Sequence, residues 1–163
     1  MITTTTDAGQ DGRMEDFAAA GRAIIDANRY MVLGTADQTG APWASPVYFA
    51  HDGFREYYWV SKPGARHSLN IGGRPGVAIV VFDSSVSIGD GQGVYMAAVA
   101  EELMGDEAQR CIEVFSRRAQ AHGGAAWSVD DVRPTSRHRL YRARAVEQFI
   151  LDEHDERVPV DLG

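Results

Sequence analysis

The sequence predicts a mainly β protein, an antiparallel sheet of six strands with flanking helices, in one domain over residues 13–163. Three observations carry this. Residues 30–36, 43–50, 57–60, 77–82, 93–103 and 137–151 read as strands, by alternation or by unbroken β-branched and apolar runs. The first three are joined by turn-type connections, Asp37 to Gly40 and Asp52-Gly53, which mark a meander of hairpins rather than crossover helices. A chain of 163 residues with 44% hydrophobic content fills one core and is short for two.

Residues 1–12 are Thr-rich and then Gly- and Asp-rich, with nothing apolar to bury beyond the first residues, and are expected to form a disordered tail. From Met14 to Asn28, Phe17, Gly21, Ile24 and Ile25 recur at helical spacing, which predicts an amphipathic helix capping the sheet. The strand from Trp43 to Ala50 contains Pro46, which has no N–H for a ladder, so it belongs at an edge or carries a bulge. Asp106 with Gln109 three residues on suggests a capped second helix. Its apolar face is Ala108, Cys111, Ile112, Phe115 and Ala119, and Gly123-Gly124 ends it. Cys111 reads as a core residue of that face. In the last long strand, Tyr141, Ala143, Ala145, Phe149 and Leu151 should share the inner face, leaving Arg142 and Arg144 on a solvated one.

The stretch Glu56 to Asp83 carries the chemistry. Tyr57 to Val60 and Val77 to Phe82 are strands, Pro63-Gly64 breaks the chain between them, and Ala65 to Ile71 reads as a short helix stopped by Gly72, Gly73 and Pro75. Arg66, His67 and Ser68 form its first turn, and Lys62, the single lysine among sixteen basic residues, precedes it. A helix start presents free N–H groups and partial positive charge, so cations and a hydroxyl there suit an anion, phosphate above all.

This segment resembles the flavin-binding split β-barrel of the pyridoxamine 5′-phosphate oxidase-like family, and the resemblance extends more weakly from Tyr30 to Leu151. The resemblance implies a six-stranded antiparallel split barrel of Greek-key type that binds FMN. It places Val60 and Ser61 at a strand end touching the flavin, and Arg66 and His67 on the basic pair that holds its phosphate, His67 standing where Lys is usual. It lays Ala44 to Phe49, with Ser45, Pro46 and Val47 as contacts, along the flavin ring. Gln92 lies one position from a family flavin contact, Trp127 in a region that reaches a neighbouring subunit's flavin, and Arg139 near a family arginine close to cofactor or substrate. Ala44 and Phe49 stand where the pyridoxamine phosphate enzymes carry Arg and Lys, so a phosphorylated substrate is not expected. The implied function is FMN-dependent hydride transfer to or from a small organic substrate, by a homodimer with cofactor at the subunit interface. The alternatives are a deazaflavin-dependent reductase and a non-catalytic flavin- or haem-binding protein.

Other classes find no support. A net charge of −7 and a pI near 5.1 argue against nucleic acid or an anionic membrane as partner. One cysteine, no leader pattern and no membrane-length apolar run lead to the expectation of a cytoplasmic protein. The five histidines show no metal-ligand spacing. Gly89 to Gly93, GDGQG, lies between strands and lacks the helix and lysine of a phosphate loop.

Overall fold

The computed structural model describes residues 8–163. Eight antiparallel strands, all in one sheet, are accompanied by three α-helices: α1 (Ala8–Ala27), β1 (Tyr30–Ala36), β2 (Pro42–Tyr48), β3 (Ala50–Asp52), β4 (Glu56–Ser61), α2 (Arg66–Gly73), β5 (Gly76–Phe82), β6 (Gly93–Leu103), α3 (Gly105–Ala121), β7 (Arg139–Leu151) and β8 (Arg157–Pro159). The order across the sheet is β2-β1-β5-β6-β7-β4-β3, with β8 added to β7. The class is the expected one. The strand count exceeds six because the second strand breaks after Tyr48 to make β3, and because Arg157–Pro159 pairs with the end of β7. β2 is an edge strand, as Pro46 requires.

The sheet curls until β2 and β4 lie against one another, yet no ladder joins them among the described residues. That seam is the split of the barrel. Inside it, Met31, Leu33, Phe49, Tyr57, Trp59, Ile79, Val94 and Ile150 form the main core, closed on one side by Ile25 of α1. A second cluster lies between the sheet and α3, where Ile112 and Phe115 pack on Tyr58, Leu103 and Leu140. Cys111 is partly buried at the margin of that cluster.

Several local expectations are corrected. Helix α1 begins at Ala8, so residues 8–12 are helical rather than part of a tail, while residues 1–7 lie outside those described. Asp106 does not cap α3. Gly105, at φ 58°, turns the chain out of β6 and is the first helical residue, which leaves Asp106 inside the first turn and Met104 as an extended N-cap without a side-chain bond. The other end follows the glycine logic: Gly123 takes φ 81° and the Gly124 N–H donates to the Ala119 carbonyl at 2.8 Å, closing the helix. In β7 the expected face fails at a bulge. The register moves from Ala98 opposite Ala145 to Ala97 opposite Glu147, leaving Val146 unpaired and 67% exposed. Beyond it the inward residues are Gln148 and Ile150, not Phe149 and Leu151.

Arg142 is not on a solvated face. It is 4% exposed and meets carboxylates of three elements: Glu101 (Nε 3.2 Å), Glu107 of α3 (3.2 Å) and Glu56 of β4 (3.8 Å). The helix α3 covers this part of the sheet, and a guanidinium beneath it is accommodated only because carboxylates converge on it.

Candidate functional site

The seam between β2 and β4 gathers most of the expected site residues. Ser45 on β2 and Ser61 on β4 face each other across it, and His67, in the first turn of α2, reaches both. Its Nδ1 lies 3.1 Å from Ser45 Oγ and its Nε2 2.8 Å from Ser61 Oγ. His67 therefore bridges two strands that have no ladder of their own. Burial pushes its pKa below the ordinary imidazole value, because no carboxylate compensates the lost hydration. Sequence reasoning expected a second cation beside Arg66; the structure places His67 as a buried strut, where burial disfavours the charged form.

Arg66 is a free cation. It is exposed, its guanidinium lies over the Trp43 ring at 4.4 Å from the centroid, and among the described residues it makes no ion pair and no side-chain hydrogen bond. Helix α2 has Ala65 as N-cap with no side-chain bond and no acidic residue in its first turn, so its leading N–H groups stay uncapped. Lys62 is exposed on the turn before it. Pro46 is exposed on the edge strand, Val47 is buried in the core, and the outer side of β2 carries the unpaired backbone groups of any sheet edge. The mouth of the seam thus offers a cationic, uncapped helix start at one end and an open strand edge along its length.

The remaining expected residues lie apart. Ser68 is 6% exposed, with a buried hydroxyl that finds no acceptor or donor in suitable geometry, so it does not face the mouth. Gln92 is exposed at the far end of β6: Gly93 pairs with Phe82, whereas α2 leads into Gly76, which pairs with Val99. Six residues of strand, roughly 20 Å, separate the two ends. Arg139 pairs with Ser61 in the ladder, but its guanidinium donates to the carbonyls of Pro134, Ser136 and His138 and pairs with Glu102, which fixes the preceding loop.

Val60 and Trp127 line a second feature, an open cavity of about 410 Å³ between β2, β4 and the end of α3. No sequence pattern joins Arg29, Tyr48 and His122, which also line it; their nearness depends on where the glycine turn after α3 lands. Tyr48 Oη and His122 Nδ1 are 2.9 Å apart. Burial, with the charges of Arg118 and Arg29, lowers the His122 pKa, and burial raises that of Tyr48, so the surroundings favour the neutral form of both. The Trp127 ring itself packs edge-to-face on Phe115 and His138.

No helix among the described residues is long and apolar enough to cross a membrane, and no cluster of three or more His, Cys, Asp or Glu suited to a metal is present among them. No curated protein matches the sequence. Among solved structures, the chain is similar to a haem-binding protein from Mycobacterium smegmatis, at 19% identity and a TM-score of 0.70, over 88% of this chain and 57% of that one. It thus spans little more than half of that relative. A haem storage protein, HutZ, from Vibrio cholerae matches at 20% identity and a TM-score of 0.64, over 79% of this chain and 90% of the other. A general stress protein 26-related protein of the pyridoxinephosphate oxidase family, from Clostridium acetobutylicum, matches at 12% identity and a TM-score of 0.65, over 91% and 96%. At these identities the likeness shows the fold. The family model for pyridoxamine 5′-phosphate oxidase matches residues 17–149, most of the chain, and this protein belongs to that family.

Proposed function

We propose that the chain is an FMN-dependent oxidoreductase that transfers hydride to or from a small organic substrate, in the cytoplasm, as a homodimer holding one flavin in each of two grooves between subunits. The observation that carries this reading is the mouth of the seam, where the unpaired Arg66 guanidinium and the uncapped start of α2 make a receptor for a dianionic phosphate. Arg66, the α2 N–H groups and Lys62 would hold the phosphate, and Ser61, Val60 and the edge of β2 at Ser45, Pro46 and Val47 would border the ring. A bound flavin supplies the electron chemistry, and the protein contributes position and field. His67 keeps the two borders of the groove at a fixed separation and adds no charge.

The dimer reading rests on the outer face of the sheet. Ala44, Gly34, Ala78 and Ala97 stand side by side across β2, β1, β5 and β6, and Val32, Val80, Val99 and Phe82 flank that row. A flat face of small apolar residues on an acidic chain suits a second sheet. In such a dimer Gln92 and Trp127 would act, if at all, toward the other subunit's groove, since Gln92 is remote from Arg66 within its own chain.

Haem is the alternative that the two haem-protein likenesses raise, and a deazaflavin is the alternative within redox enzymes. The absorption spectrum of purified protein titrated with each separates them. Saturable FMN binding at one per chain, with shifted flavin bands, supports the proposal; a Soret shift with haem and no flavin binding contradicts it.

A further inference from the structure

The cavity beside the seam is lined by five rings and no carboxylate. Tyr48 is at its centre: Tyr30 lies 5.9 Å away at 84°, Phe115 5.6 Å at 86° and His122 5.9 Å at 87°, and Trp127 meets Phe115 at 5.9 Å and 81°. Rings set at right angles form walls rather than a stacked column, so a flat guest can lie on one ring while another ring meets its edge. A volume of about 410 Å³ falls in the range of small-molecule sites.

The polar groups sort by chemistry. The Tyr48 and His122 pair uses one hydrogen bond internally and has one donor left over in either tautomer. If the phenol donates to Nδ1, the imidazole Nε2–H is free; if Nδ1–H donates to the phenol oxygen, the phenol O–H is free. Either way the cavity offers a neutral donor to an acceptor atom. Arg29, exposed at the cavity margin, adds a cation, and Arg118 stands close enough to lower the His122 pKa. On a chain of net charge −7, a hollow with arginine and no acidic lining is locally selective for an anion.

We propose that this cavity binds a small planar aromatic anion, its ring against Tyr30, Phe115 and Trp127, its acceptor on the Tyr48 and His122 pair, and its charge toward Arg29. The site does not require the flavin reading: within one chain only Val60 is common to the cavity and the proposed cofactor groove, and Trp127 borders the cavity whether or not it also reaches the other subunit's groove.

The test is calorimetric titration of the full chain with 2-naphthoate and with its uncharged counterpart 2-naphthamide. Saturable 2-naphthoate binding, at least several-fold tighter than the amide, is expected. Tyr48→Phe combined with His122→Phe keeps a ring at both positions and deletes the donor of either tautomer, and should weaken both ligands roughly three- to tenfold. Arg29→Ala should weaken 2-naphthoate about fivefold and leave the amide unchanged, removing the preference. Absence of saturable binding up to millimolar ligand overturns the proposal, as does affinity for both ligands that neither variant changes. Titration in the presence of excess FMN completes the test: unchanged affinity supports a separate site, and competitive displacement by FMN overturns it. The titration without FMN reads this site even where no flavin binds.

Discussion

The imidazole of His67 is held between two hydroxyls with no carboxylate near it, and this position sets its charge. A histidine whose folded pKa is depressed binds its proton more readily in the unfolded chain. Its contribution to stability is therefore complete above the ordinary imidazole pKa, about 6.5, and is lost as pH falls from there toward the lower folded value. His67→Asn removes the titration while retaining polar groups for the two serines. We expect the wild type to lose more stability than this variant between pH 7.5 and 5 in chemical denaturation; parallel loss in both would contradict the assignment, since His51 and His122 titrate in each. The sequence disclosed that a basic, hydroxyl-bearing helix start follows a strand, which located the site. It did not disclose that His67 would turn inward. That depends on Ser45 and Ser61, sixteen apart in sequence and on strands with no ladder between them, both coming within reach of the ring, a placement that no local pattern encodes. The Tyr48 and His122 pair was hidden for the same reason, being 74 residues apart.

At the scale of elements, hairpin chemistry was the most legible signal. Asp37 to Gly40 and Asp52-Gly53 form turns where expected, and Gly53 and Phe54 both take positive φ, the conformation that matches the twist of paired strands. Strand β7 was the least legible. Its bulge at Val146 reverses the inward face midway, and α3 folds over Arg142, so alternation alone placed a buried guanidinium in solvent. Among the described residues, Arg142→Leu leaves Glu107 without a cation, and leaves Glu56 and Glu101 with the exposed Arg144 as their one remaining cation. A loss of about 3 kcal/mol is expected from the urea midpoint at pH 7, at the low end for breaking a buried pair because Glu101 and Glu107 are half-exposed. Burial alone would raise the Glu56 pKa, but hydrogen bonds from Tyr58 and Arg144 and the charges of Arg142 and Arg144 outweigh it and hold the carboxyl low. Its stabilisation is thus present above the unfolded carboxyl pKa, about 4.3, and lost as pH falls through the folded value. The deficit of Arg142→Leu should shrink over that acidic interval, and an unaltered midpoint at pH 7 would refute the network's role.

For the whole molecule, the arrangement of strands leaves an apolar outer face and a seam open at one edge, and both properties point to assembly. Ala78 is exposed in the middle of that face, opposite Gly34 on one side and Ala97 on the other, where a long charged side chain is free to extend in a monomer but not between two sheets. Light scattering should show a dimer for the wild type and a folded monomer for Ala78→Arg; a wild-type monomer with cofactor bound would contradict the proposed assembly. The central claim is the phosphate receptor at the start of α2, and titration of wild type and Arg66→Ala with FMN and with riboflavin tests it most directly. Removing a charge-assisted contact worth ~1.5–3 kcal/mol weakens binding roughly ten- to a hundredfold. The account predicts that loss for FMN and almost none for riboflavin, which carries no phosphate; equal losses for the two flavins, or no loss for either, would contradict it.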